Sequence, residues 1–495
     1  MSNRSGDVGG HSLSEAMGSI GQLPGVGGLG PGFEGGGSAL PEVPPAGEHP
    51  VGGPEEQSVS LIKSFAYSSG NFGSGMWYAL NNFILPLFLD PLHMPVPLIG
   101  LLSSTRSAEG AILQPLVGVW SDRIWHPRFG RRRIFIARFV PICALFVILT
   151  AFVPGWAKLG PFHAIQQFFN VPEARFVLIL VAVFIFIFTL TFNIMYDPYQ
   201  ALLADITPEV FRGRVNGVFQ AFGSFGQAAI LIVGAFFSDL IGGVPGLFVF
   251  CGVMLALTFI PTLFGIREPR SLSGTTATHR YTARDYWNGL RADPQIQLYF
   301  ANQAFLWFGI NAITPFLTLY AIHEAGFNDS NALFLSFILL LSSAIFVWPF
   351  GLLGDRIGLK QVFLMGMICM AGATIAGIFT HQMLPLFVVV AVAGVGNAAQ
   401  TASSFPLMTR IVPADQMGLY TGLESLVTSI AAPASAAIAG LLISHYGYLA
   451  MFPFVAAMFL LSLIPLAILR MERSVVQQKK RQEALAAQSA GETGE

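Results

Sequence analysis

Twelve apolar runs, parted by short polar linkers, fill nearly all of the chain between residues 62 and 469. They lie at roughly 62–88, 97–120, 134–154, 176–199, 213–237, 245–266, 296–321, 332–353, 361–380, 384–405, 417–442 and 447–469. Each meets the need for about 20 apolar residues to cross a hydrocarbon core as a helix. Within lipid a chain must satisfy its own backbone hydrogen bonds, and continuous apolar runs of this length do so as helices. Only 11% of the 495 residues are charged, against about a quarter in soluble domains. The expected fold class is therefore an all-α polytopic membrane protein with twelve transmembrane helices.

The cations set the expected orientation. Of 26 Lys and Arg, 23 fall on the side that holds both termini, two (Lys158, Arg175) on the other, and one, Arg106, inside a run. By the positive-inside rule both termini are cytoplasmic and the membrane is the cell membrane. Residues 1–57 hold 16 Gly and 7 Pro with no apolar period and read as a disordered cytoplasmic tail. Residues 58–266 and 295–470 then form two six-helix bundles, 267–294 the cytoplasmic linker, and 471–495 a charged tail. The external loop at 155–175 has room for a short interfacial helix.

Some chemistry is excluded. Cys143, Cys251 and Cys369 each sit in an apolar run and suggest neither a disulfide nor a metal set. No phosphate loop or His/Cys metal spacing is present, so the chain is expected to be no enzyme, to need no cofactor, and not to hydrolyse ATP. A net charge of −1 gives no footing for a nucleic-acid partner. The expected partners are the bilayer and a small solute, with the chain acting as a monomer.

One turn recurs half a chain apart. Gly118-Val-Trp-Ser-Asp122-Arg123, followed by Gly130-Arg131-Arg132-Arg133, ends the second run; Gly351-Leu-Leu-Gly-Asp355-Arg356-Ile-Gly358-Leu-Lys360 ends the eighth. The repeat predicts two equivalent bundles related by a pseudo-twofold axis, with Asp122 falling on Asp355. Asp122, Arg123, Arg131, Asp355 and Arg356 are candidate gating residues. A carboxylate at such a helix end can pair with Arg and face a helix N-terminus, and so hold one side closed. The alternative is a loop whose cations only fix orientation.

These paired turns resemble the signature loops of the major facilitator superfamily, whose members are twelve-helix carriers built of two six-helix halves. Within it, Gln114-Pro115-Leu116-Val117-Gly118, Ser121-Asp122-Arg123 and Arg128-Phe129-Gly130-Arg131-Arg132-Arg133 resemble the corresponding loop of sucrose transporters and related glycoside–cation symporters. Ala201-Leu-Leu-Ala-Asp205 resembles that branch too. The resemblance implies sugar symport. The chain departs from it at two places: the family's sugar-linked Arg is Gln200 and its proton-linked Asp is Thr189. Arg-to-Gln removes a charge and a fork of donors.

Three acids, Glu109, Asp197 and Glu424, and Arg106 are the candidate intramembrane charges. Glu109 is near the middle of helix 2, with Arg106 one turn away on the same face. An intramembrane charge costs about 2.5–3.5 kcal/mol on insertion scales, so it pairs and faces a cavity. Apolar surroundings favour the neutral form of a carboxyl and Arg106 the charged form, which makes the pair a candidate proton-coupling site or a static brace. Arg106-Ser-Ala-Glu109 resembles the Arg-x-x-acid of melibiose-type symporters. Glu424 is eight residues into helix 11 and serves substrate or gate. Asp197 lies at the interface or inside according to where helix 4 ends.

Polar stripes at helical spacing supply the candidate cavity. They are Asn71, Ser74, Tyr78 and Asn82 on helix 1; Asn193, Asp197 and Gln200 on helix 4; Asn216, Gln220 and Gln227 on helix 5; Gln303, Trp307 and Asn311 on helix 7; and Asn397, Gln400 and Ser404 on helix 10. Amides and a flat ring suit a neutral polyol; amides also glue helix to helix at about 1 kcal/mol each. The leading expectation is a secondary carrier moving a disaccharide or glucoside with protons. Its alternatives are an efflux carrier for amphipathic compounds and a non-transporting assembly protein of the same fold.

Overall fold

The computed structural model describes residues 61–156, 160–207, 211–268, 283–380, 382–413 and 416–470. Both predicted tails, and the side chains of Arg106, Glu109, Asp122 and Arg123, lie outside what is described.

The first half runs through α1 (Leu61–Ala79), a π turn (Leu80–Ile84) and α2 (Leu85–Leu89), which together make one crossing. Then come α3 (Val96–Arg123), α4 (Arg133–Trp156), a short α5 (Gly160–Phe168), α6 (Glu173–Ile206), α7 (Arg212–Ile241) and α8 (Gly243–Gly265). In the second half α10 (Pro294–Ile313), a 3-10 turn (Thr314–Phe316) and α11 (Leu317–His323) make one crossing. It is followed by α12 (Asp329–Ile357), α13 (Leu359–Ile378), α14 (Met383–Ile411), α15 (Met417–Tyr446) and α16 (Met451–Ile468). Ten of these crossings are long and apolar enough to span a membrane by length and composition. The other two are the first, diluted by Ser, Asn and Gly, and α3, which carries Arg106 and Glu109.

The halves pack alike. In the first, α1 lies on α7 and α8, α4 on α6 and α8, and α3 on α6. In the second, α10 lies on α15 and α16, α13 on α14 and α16, and α12 on α14. Replacing each crossing by the one six crossings later turns the first set into the second. Between halves, α3 packs on α15 and α7 on α12, a pair that the same exchange maps onto itself. Asp122 and Asp355 both fall in the last turn of the second crossing of their half.

A second repeat, Asn82-Phe-Ile-Leu-Pro86 and Asn311-Ala-Ile-Thr-Pro315, explains why the first crossing of each half is broken. Proline has no N–H and its ring clashes with the carbonyl four residues earlier. Here those carbonyls belong to Asn82 and Asn311. The first break relaxes into a π turn and the second into a 3-10 turn, the usual local solutions.

Close packing rests on missing β-carbons at chosen points. A β-carbon on Gly75 would overlap the carbonyl of Gly223, and one on Gly226 that of Phe72, so α1 and α7 touch backbone to backbone. The linker contains an element that the polar, basic reading of 267–294 missed. Residues Ala283–Ala292 form α9, where Tyr420 Oη donates to Gly289 O at 3.1 Å and Tyr286 lies against Gly422. The amphipathic spacing of Tyr286 and Leu290 drives this docking.

Candidate functional site

At the end of the molecule where the described chain begins and ends, at Leu61 and Arg470, one carboxylate organises a knot of cations. Asp205, one residue before the end of α6, accepts from Arg131 Nη2 at 2.9 Å and from Arg132 Nε at 2.6 Å. Arg132 Nη1 also donates to Ser121 Oγ at 3.3 Å, tying in the end of α3. Glu268 supplies a second anchor. Its carboxylate accepts the backbone N–H groups of Arg131 (2.8 Å), Arg132 (3.2 Å) and Arg133 (2.8 Å). Arg133 opens α4 and the other two immediately precede it, so the carboxylate sits at a helix N-terminus, where the helix dipole favours an anion. The Arg133 guanidinium in turn donates to the Leu263 carbonyl at the end of α8. The equivalent contact in the second half is Lys360 Nζ, at 2.8 Å from Ala467 O and 2.6 Å from Leu469 O. Asp355 and Arg356, by contrast, are exposed and make no ion pair among the described residues.

At the opposite end the two halves are fastened together. Thr318 Oγ1 donates to Phe83 O at 3.2 Å, from the break in one half to the break in the other. Ser238 and Ser330 hydroxyls meet at 3.0 Å, and Phe236 packs edge-on against Phe334 at 5.5 Å. His323 Nε2 lies 2.9 Å from Asp90 Oδ2, with its ring stacked on Tyr448. A β-carbon on Gly100 would overlap the Ala436 carbonyl, so α3 and α15 are in close contact at that end.

Between the two ends the predicted polar residues divide into two sets. Asn71 is buried, donating to Phe219 O at 2.7 Å and accepting from Tyr196 Oη at 3.2 Å, so it ties α1 to α7 and α6. Asn193 and Gln400 are also buried. Asn397 donates to Ser343 Oγ of α12 at 3.0 Å. The second set is open: Gln200, Asn216 and Gln220 are exposed, and Tyr78, Asn82, Asp197, Gln227, Trp307, Asn311 and Glu424 half-buried. Polar side chains exposed within a span face a water-filled cleft rather than lipid. Helix α6 runs on to Ile206, which places Asp197 inside the helix rather than beyond its end.

Gln303 connects the second set to a cluster. Its side-chain amide nitrogen lies 2.6 Å from Tyr299 Oη, 2.6 Å from Ser404 Oγ and 3.0 Å from Glu424 Oε1. An amide nitrogen has two protons for these three acceptors. The Gln303 carbonyl oxygen and, four residues on, the Trp307 indole N–H are buried with no hydrogen-bond partner. In the first half a buried aromatic stack joins α1 to α6: Trp77 stacks on Phe192 at 3.9 Å, Phe192 on Tyr196 at 5.1 Å, and the half-buried Tyr78 meets both Phe192 and Tyr196 edge-on.

The structure thus brings Gln303, Trp307 and Glu424 together around α10 and α15, and Tyr78 against the α6 aromatics. It places Asn71 in a helix-to-helix joint. Three participants were not singled out in the sequence as gating residues. Asp205 lay in the quoted Ala-Leu-Leu-Ala-Asp stretch, Arg132 beside Arg131, and Glu268 in the linker, where no motif marks it.

A doubled six-helix bundle, fastened at one end and polar within, defines a carrier, not an enzyme. The family model of the Major Facilitator Superfamily matches residues 67–348 and 334–492; the chain belongs to that superfamily and is a membrane transporter. A multidrug resistance protein MdtG of Proteus mirabilis (strain HI4320) is 24% identical over 409 residues, covering 80% of this chain and 92% of that protein. Among solved structures, a bacterial homolog of the human lysosomal transporter Spinster, inward-facing and occupied, superposes with a TM-score of 0.61 at 14% identity, covering 84% of this chain and 97% of that one. The nucleoside transporter NupG gives 0.59 at 14%, covering 83% and 100%. A bacterial homologue of the iron transporter ferroportin, inward-facing, gives 0.60 at 17%, covering 83% and 99%.

Proposed function

We propose that the chain is a monomeric secondary carrier of the cell membrane, with cytoplasmic termini, that moves a neutral hydroxyl-bearing solute of the sugar class together with protons. The observation that carries this reading is the set of uncharged polar and aromatic side chains left exposed or half-buried within several crossings, Tyr78, Asn82, Gln200, Gln220, Trp307 and Asn311 among them, while the halves are fastened at the end away from Leu61 and Arg470. Such groups supply both donors and acceptors to hydroxyls, and Tyr78 and Trp307 offer flat faces to ring C–H edges. With the fastened end outward, the conformation is the inward-open member of an alternating-access pair.

Glu109 carries the proton in this reading, with Arg106 as its counter-charge. Glu424, fixed by Gln303, holds the substrate side of the second half. The Asp205–Arg131–Arg132 knot and the Asp122 and Asp355 turns serve the cytoplasmic gate. Because Gln200 stands where the sucrose transporters have Arg, sucrose is a poor cargo and recognition rests on neutral amides. Proteoliposomes with an imposed pH gradient test this against a panel of glucosides and disaccharides. Accumulation of at least one sugar, collapsing with the gradient, is expected; accumulation of none overturns the sugar assignment.

A second reading is efflux of an amphipathic organic compound. The multidrug resistance relative favours it, as do the half-buried rings of Tyr78 and Trp307. The same vesicles loaded with cationic dyes separate the two: gradient-driven dye movement without sugar accumulation selects efflux.

A further inference from the structure

We propose that a groove on the first half, at the end that carries Leu61 and Arg470, binds the headgroup of an anionic phospholipid. Two clefts of about 420 and 220 Å3 adjoin there and share Phe264, Ile266 and Arg267. The larger is lined also by Lys63 at the start of α1; the smaller by Trp125 and Arg128 in the loop between α3 and α4.

Charge selects the ligand. Lys63, Arg128 and Arg267 are all exposed and form no ion pair among the described residues. The two acids on the same walls are already occupied. Asp205 holds Arg131 and Arg132, and Glu268 holds the backbone N–H groups of Arg131, Arg132 and Arg133 at the entry to α4. The groove therefore has four cations, three of them exposed and the fourth, Arg133, donating to the Leu263 carbonyl, against two carboxylates that are already hydrogen-bonded, and an anion of phosphate type completes it.

Position selects a lipid over a soluble anion. Beside the cations the surface is apolar and open: Ile62, Phe65 and Phe264 are 79%, 51% and 64% exposed, and Trp125 is 41% exposed. Cations next to exposed aromatics at a helix end form the pattern of the membrane–water interface. Arg131, Arg132, Arg133 and Arg212 lie at the same end, and anionic headgroups draw basic segments of this kind. An acyl chain along Phe264 and Phe65 would bring its phosphate between Lys63 and Arg267. A bound headgroup would then adjoin both acids that hold the start of α4.

The test uses the full chain purified in neutral detergent. Its melting temperature is measured with added phosphatidylglycerol, phosphatidylcholine or inorganic phosphate, since a ligand of the folded state raises it. Phosphatidylglycerol is expected to raise it by several degrees, phosphatidylcholine and phosphate by less than half as much. The Lys63→Gln/Arg267→Gln variant should lose more than half of the phosphatidylglycerol shift while melting like the parent in phosphatidylcholine. Should that variant not fold, the parent in 0.5 M salt gives the same reading, because screening at about 4–5 Å removes a surface charge contact. Equal shifts from the two lipids, a shift unchanged in the variant or in high salt, or an equal shift from inorganic phosphate alone would each overturn the proposal.

Discussion

At the scale of single residues, two carboxylates hold the end of the first half at which the described chain begins. Asp205 and its two Arg partners are each between 10% and 13% exposed, so removing the acid strands two nearly buried cations. Breaking such a pair by deleting one member costs about 3–5 kcal/mol. Asp205→Asn is accordingly expected to lower the melting temperature of the purified protein by several degrees, and Asp205→Glu to restore part of the loss. An Asn variant that melts like the parent would show that Arg131 and Arg132 find other partners without cost. The sequence pointed to Asp205 only as the end of a familiar stretch. Its partners lie 73 and 74 residues away, and nothing local connects them. Glu268 was illegible for a different reason: a lone acid in a polar linker looks like any other until the chain folds it over the start of α4.

At the scale of elements, the broken first crossings stand out. Pro86 and Pro315 each remove a helix hydrogen bond and free an Asn carbonyl, and the two broken stretches are fastened to each other by Thr318 and Phe83. Replacing Pro315 with Ala restores a hydrogen bond worth about 0.5–1.5 kcal/mol. The expected outcome is a more heat-stable protein with slower transport, read by melting and by initial uptake rates in the same preparation. Unchanged uptake would mean that the break is not used in the conformational cycle. The fastened end also depends on His323 and Asp90, 28% to 42% exposed, which limits the pair to about 0–1 kcal/mol. Asp90→Asn should therefore increase maleimide labelling of a cysteine at Ser330 only modestly, about two- to fivefold, by the tenfold-per-1.4 kcal/mol relation. No change in labelling would show that Thr318 and the Phe236–Phe334 contact suffice. The Asn-x-Ile-x-Pro repeat is a local pattern present in both first crossings, so the breaks can be read from sequence, although its spacing of 229 residues differs by four from the 233 of the Asp-Arg turns. Their touching cannot be, because 235 residues separate Thr318 from Phe83.

At the scale of the whole molecule, coupling needs a titratable group that both halves influence. Glu109 lies on α3, and α3 packs on α15 of the other half, so rocking the halves changes its surroundings. Glu109→Gln keeps the shape and removes titration. It is expected to abolish accumulation driven by a pH gradient while leaving exchange at equal concentrations within about twofold, since exchange needs binding and rocking but no net proton movement. A variant that still accumulates substrate places the coupling acid elsewhere, with Asp197 and Glu424 next in line. The sequence by itself determined the all-α membrane fold, the duplication, and the level of each polar residue along its helix. Apolar length, charge asymmetry and repeat spacing are local or periodic properties, and they survive reading in one dimension. Only the tertiary structure decided which face of each stripe is turned to a neighbour. Asn71 and Tyr78 differ by seven residues, two turns of one helix, yet Asn71 is clamped between α6 and α7 while Tyr78 remains half open. That choice follows from the rotation and crossing angle of each helix, set by backbone contacts such as Gly75 on Gly223, and a few degrees of rotation separate a joint from a cavity wall.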